Sequence, residues 1–231
     1  MYSFRMFLRL MARNCHRTVS LLSVFCIWGP WVLSAALPEP TDYNSVLIDS
    51  GSLPEELVEL NGFMAESLSF KAKFIRSNYV AGIDIPVSAT GYLLYDATRG
   101  LLWQTVDPYR EALWVSQDGV FKMDAKGKEK VAEDPGVYLK VQEFIEGQMS
   151  AFGADGQLYF GTKKDSWELR FLPQGGALAG QLSEIRIQGS RGVLWWIRIV
   201  QKSKTVISIR LYDFQRFKQA MGETEFFNLK P

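Results

Sequence analysis

Histidine and cysteine are confined to one end of this chain. The single histidine, His16, and both cysteines, Cys15 and Cys26, fall within the first 26 of 231 residues. The same end carries Arg5, Arg9, Arg13 and Arg17, then the apolar run Val19–Leu33, then Ser34, Ala35 and Ala36. A positive leader, an apolar run and small residues behind it are the parts of a secretory signal peptide, so residues 1–36 are expected to be removed by cleavage after Ala36. The rival, a membrane anchor, needs roughly 20 apolar residues. This run has 15 and is interrupted at Gly29-Pro30. Ser23-Val24-Phe25 before Cys26 lacks the small residues of a lipobox, so a soluble, exported, periplasmic product is expected. N-terminal sequencing of the exported protein checks this, and an intact Met1 would refute it.

Residues 37–231 then contain no imidazole and no thiol. Ser-His-Asp and Cys-His catalysis lose their base, zinc loses its usual ligands, and no disulfide can staple the fold. No Ser-x-x-Lys, Gly-x-Ser-x-Gly, phosphate-loop or dinucleotide motif occurs in that stretch, and no cofactor or metal is expected. Carboxylate-pair hydrolysis survives this elimination. Its candidates are Asp107, Glu111, Asp118 and Asp124, which would have to stand about 5 to 10 Å apart in a cleft. Each is at or near a turn, where acids are ordinary solvated residues, so no enzyme is expected. With the leader gone, 22 basic residues face 25 acidic ones, a formal charge of about −3, which argues against a general nucleic-acid binder.

The elements must therefore carry the function through apolar surface. Leu37 to Gly51 reads as an irregular lead-in. Ser52 is a candidate N-cap, with Pro54 and Glu55-Glu56 in the first turn and Leu57, Leu60, Phe63 and Met64 at helical spacing. From Ser69 the period becomes two, with Phe70, Ala72 and Phe74 on one face; a second strand begins near Val87 after the Val80–Pro86 connection. Gly91–Asp124 then reads as three or four strands with turns at Asp107-Pro108 and Asp118-Gly119. Leu101 and Trp103 lie on one side there and Leu102 and Val106 on the other, more apolar surface than a sheet with one wet face needs. Lys126–Lys130 reads as a solvated turn, and Val137–Phe152 as a second helix presenting Val137, Val141, Phe144, Ile145 and Met149. Five further strands follow: Leu158–Phe160, Trp167–Leu172, Leu182–Ile187, Val193–Val200 and Thr205–Leu211. About nine to eleven strands against two helices make a mainly β fold with α, whose sheet must curl strongly or close.

The run GYLLYDATRGLLWQTVDPY followed by WVSQDGVF, behind an amphipathic helix and an F-x-A-x-F strand, resembles the periplasmic outer-membrane lipoprotein carrier family, LolA and its LolA-like relatives. Trp103, Asp107-Pro108 and Ser116-Gln117-Asp118-Gly119 carry the likeness, and Trp167–Pro173 and the SIRLYDF segment extend it over most of residues 52–229. The resemblance implies one domain over 37–231, a curled, incomplete antiparallel barrel closed by lid helices around an apolar cavity. In that cavity Leu101, Trp103 and Val115, with Phe121, Phe63, Phe144 and Trp167, would meet the acyl chains of a lipoprotein or lipid. It implies a monomer that loads from an inner-membrane donor and unloads to an outer-membrane acceptor. The family's Lys/Arg-Arg-Pro before the tryptophan strand is Tyr95-Asp96-Ala97-Thr98-Arg99-Gly100 here, with no proline and with Arg99 displaced toward Trp103, which leaves Arg99 as the candidate for lid control. Each CH₂ buried contributes about 0.8 kcal/mol, so such holding needs no catalytic group. An envelope protein-binding or sensor module on the same fold is the alternative.

Overall fold

The computed structural model describes residues 43–48, 53–124, 127–132, 137–146, 148, 155–190 and 192–227. The expected signal peptide, the Ser52 cap, and Met149 and Phe152 of the second helix lie outside them. The strands are β1 (Val46–Leu47), β2 (Ser69–Tyr79), β3 (Val87–Asp96), β4 (Gly100–Asp107), β5 (Glu111–Ser116), β6 (Gly119–Asp124), β7 (Gly127–Ala132), β8 (Gly156–Lys163), β9 (Ser166–Pro173), β10 (Leu182–Ser190), β11 (Val193–Gln201) and β12 (Val206–Phe217). The helices are α1 (Glu55–Ala65), α2 (Val137–Ile145), and the single turns α3 (Gly176–Ala179) and α4 (Glu223–Phe226).

All twelve strands form one sheet in the order β1-β8-β9-β10-β11-β12-β2-β3-β4-β5-β6-β7. Two antiparallel meanders, β2–β7 and β8–β12, are welded by the β12–β2 pair, which runs from Val206 opposite Tyr79 to Phe217 opposite Ser69. The sheet is curled and not closed into a barrel, with β1 and β7 at its two ends. The count of twelve exceeds the expected nine to eleven for two reasons. Val46–Leu47 of the lead-in pairs with Tyr159 and Phe160. Gly127–Ala132, which overlaps the charged Lys126–Lys130 segment expected as a solvated turn, pairs with β6. Lys128 lies 4.0 and 3.9 Å from the Trp114 and Phe121 ring centroids, so its stem and charge both find partners in a strand.

The sheet has two apolar faces, and each has its own cover. On the inner face Phe70, Ala72, Phe74, Leu93, Leu101, Trp103 and Val115 join Leu169, Ile187, Ile197 and Ile209 from the second meander in one core, closed by Leu57 and Leu60 of α1 and Val141, Phe144 and Ile145 of α2. On the outer face Leu94, Leu102 and Ala112 pack under Met221 and Phe226 of the C-terminal segment, with Trp114 and Phe227 beside them. Strand alternation puts 101 and 103 on one side and 102 on the other. The apolar surplus of the β4 sequence is thus absorbed twice, by helices inside and by a C-terminal cap outside.

Candidate functional site

The candidate site is a cleft of about 290 Å³ between α1 and the β8–β9 hairpin, walled by Leu60, Phe63, Phe160, Trp167 and Gly192 and rimmed by Glu56, Glu59, Lys164 and Asp165. Two glycines of the β10–β11 hairpin make its aromatic walls fit. A Cβ at Gly189 would stand 2.1 Å from Cζ2 of Trp167, and one at Gly192, whose φ is +72°, would stand 2.0 Å from Cδ1 of Phe63. The indole and the phenyl ring therefore lie flat on bare backbone. The sequence marks both glycines as turn residues, and nothing in it shows which rings they receive. Trp167 is buried, its Nε1 has no hydrogen-bond partner among the described residues, and its ring is 5.7 Å from that of Phe144.

Phe63 and Trp167 thus line the cleft, and Phe144 stands directly behind Trp167. Leu101, Trp103 and Val115 lie in the same inner core but in the other meander, where Leu101 faces Val115 and Trp103 faces Leu93 and packs 5.9 Å from Phe74. Phe121 is on the opposite side of the sheet, against Trp114 at 5.2 Å. The β5–β6 turn is the reason: with Ser116 opposite Gly119, Val115 meets Val120 and Trp114 meets Phe121, so Val120 takes the inward position and Phe121 the outward one.

An arginine the sequence did not single out fastens the cleft. Arg216 of β12 donates from Nη1 to the Phe63 carbonyl at 3.0 Å and from Nη2 to the Gly192 carbonyl, and its guanidinium lies 4.1 Å from the Phe63 ring centroid. The Phe63 carbonyl is among the last four of α1, which have no partner within a helix, and α1 has no basic residue of its own in its last turn. A cation from β12 supplies what the helix end lacks. Burial lowers the Arg216 pKa to about 10, leaving it charged at neutral pH.

Arg99 works on the other face. Its Nη1 donates to Asp96 Oδ1 at 3.2 Å and to the Met221 carbonyl at 2.9 Å, while its own carbonyl accepts from Trp114 Nε1 at 2.7 Å. Asp96 is fully buried and accepts from the Thr98 amide at 3.0 Å, the Thr98 hydroxyl at 2.5 Å and the Met221 amide at 2.7 Å. Burial pushes its pKa up, but the Thr98 and Met221 hydrogen bonds and the charge of Arg99 outweigh it and hold the carboxyl below its ordinary value. The contacts described for Arg99 therefore fasten the C-terminal segment to the β3–β4 turn.

The four acids considered for hydrolysis are spread along β4–β6. Glu111 and Asp124 share Lys122, at 3.5 and 3.8 Å, and Asp107 and Asp118 are exposed. A larger ionic group lies on the outer face of β9–β11, where Glu184 meets Arg186 at 2.5 Å, Arg170 at 2.9 Å and Arg198 at 3.3 Å. Burial raises the Glu184 pKa, and Arg186 first, then Arg170, bring it below the usual value. Among the described residues no helix is long and apolar enough to cross a membrane.

No protein-family model matches this chain, and no curated protein does. Solved structures do resemble it. A DUF1329 family protein from Desulfovibrio piger has a TM-score of 0.44 at 9% identity over 74% of this chain and 96% of that one. The MucA/MucB complex of Pseudomonas aeruginosa gives 0.45 at 11% over 76% and 61%. A LolA superfamily protein from Nitrosomonas europaea gives 0.39 at 9% identity, over 74% of this chain and 96% of that chain.

Proposed function

We propose that this protein is a non-catalytic carrier of the periplasm that shields the acyl chains of a lipoprotein or lipid between a donor and an acceptor at the two membranes. The observation that supports this reading best is the cleft under α1: aromatic and aliphatic walls, open to solvent, roofed by a helix that one arginine fastens. Its volume of about 290 Å³ falls just short of the roughly 300 to 1,000 Å³ typical of ligand pockets. A whole acyl chain therefore requires α1 to swing away and uncover the core beneath, and the chain replaces the apolar contacts that the helix gives up. Loading is then a competition between helix and ligand for one surface, and release follows when a partner offers the chain a better one.

The test is titration of the purified exported protein with a fluorescent fatty acid, together with mass spectrometry of its organic extract. Saturable binding and co-purified acyl lipid are expected. A chain that binds no acyl probe and instead yields one stable protein complex without lipid would sink the carrier reading in favour of a protein-binding module.

A further inference from the structure

A charged residue ends one row of the apolar inner face. A lateral row of that face runs through Phe160, Leu169, Ile187, Ile197 and Ile209, each the register partner of the next, and the partner of Ile209 on β2 is Arg76. Five apolar side chains on five adjacent strands therefore end at a guanidinium. Its Nε and Nη2 atoms are buried and have no hydrogen-bond partner among the described residues. These two N–H groups share one edge of the guanidinium plane, the fork that grips a carboxylate or phosphate through two parallel bonds. Beside it is Tyr109, whose phenol pKa is raised by burial first and by Glu111 next, with the charge and hydrogen bonding of Arg76 pulling it down. A phenol of raised pKa is neutral at physiological pH and gives the arginine no counter-charge. Two residues along the same face, the Asn78 Oδ1 is also buried without a partner. Buried donors are rarely left unmet, least of all charged ones.

We infer that Arg76 binds the oxyanion of an acyl ligand's head group, a carboxylate or a phosphate, while the chain lies along the row from Ile209 toward Phe160. The inference rests on the carrier reading above and names the head-group chemistry that reading leaves open. The dimensions agree. Five strand steps of about 4.8 Å make a track of about 24 Å, against about 15 Å for one leaflet of a hydrocarbon core of about 30 Å. The far end of the track, Phe160, is a wall of the cleft. The near end leads along β2 into the 80–86 connection, where Ile83 and Ile85 are exposed and give the entrance an apolar lip.

The experiment compares the full exported chain with Arg76→Met, which keeps the apolar stem and removes the fork. Each is titrated with anthroyloxy-stearic acid and with its uncharged methyl ester. The wild type is expected to prefer the acid about tenfold, and R76M to lose about tenfold for the acid while binding the ester within about twofold of wild type. Displacement of the probe by lysophosphatidic acid or by oleate tells a phosphate from a carboxylate. R76M is expected to melt at or above the wild-type temperature, since it removes a partly buried guanidinium with two unmet N–H groups, and Arg76→Lys, charge without the fork, to fall between. An R76M that binds the acid like wild type, or loses acid and ester equally, overturns the inference and leaves the carrier reading intact. A wild type that binds neither probe overturns both.

Discussion

At the residue scale, two arginines hold two covers, and the consequences differ in sign and place. Arg216 joins α1 to the β10–β11 turn through two carbonyls. Arg216→Met should cost about 1 to 2 kcal/mol and speed amide exchange in residues 55–65 by about 5- to 30-fold, with acyl probes loading faster; an unchanged exchange rate would remove Arg216 as the fastening. Asp96 organises the outer cover. Asp96→Ala takes the carboxylate from Arg99 and leaves the Met221 amide without its acceptor, and should cost about 2 to 4 kcal/mol, read from the urea midpoint. Its pH dependence follows from a carboxyl held below its ordinary value. The stabilisation is present above the unfolded-state pKa of about 3.9 and is lost as pH falls through the lower folded value. The gap in stability between wild type and D96A should therefore be constant from pH 7 to 5 and close below about pH 4.

At the element scale, the β10–β11 hairpin is the seat on which α1 rests. Gly192 leaves space for the Phe63 ring and adopts a φ of +72°, which costs a side chain strain on top of the clash. Gly192→Ala should push Phe63 off the hairpin, destabilise the protein by about 1 to 3 kcal/mol, and show as faster proteolysis in α1. The same mutation at Gly62, where an added Cβ meets nothing, serves as the control and should be neutral or stabilising by up to about 1 kcal/mol, since alanine favours a helix over glycine. Periodicity reads strands such as Phe70-Ala72-Phe74 directly, because a buried face imposes period two. It misreads β7, where Lys128 and Lys130 look like a solvated turn until Trp114 and Phe121 are in place to receive Lys128.

At the scale of the whole molecule, residues 218–227 are a structural cap over the outer face. Truncation after Phe217 removes Met221, Phe226 and Phe227 from Leu94, Leu102 and Trp114, and the uncovered patch should bind an apolar dye and promote self-association in sedimentation, while inner-face binding of acyl probes persists. The sequence by itself determined the mainly β class, the alternation that puts Leu101 and Trp103 on one face, and the confinement of His16, Cys15 and Cys26 to the first 26 residues, because composition and local period are properties of the chain alone. Only the tertiary structure decided what covers each face. The two-sided apolar β4 reads as surplus until a segment more than a hundred residues downstream is laid over one side. Arg216 and Arg76 have no local signature, for their roles come from partners that the β12–β2 pair brings together, and the turn signal at Gly189 does not show that the Trp167 ring will lie against it. Phe121 shows the same limit in small, since one turn's pairing fixes which of two adjacent apolar residues faces inward, and that pairing is set by the sheet around it.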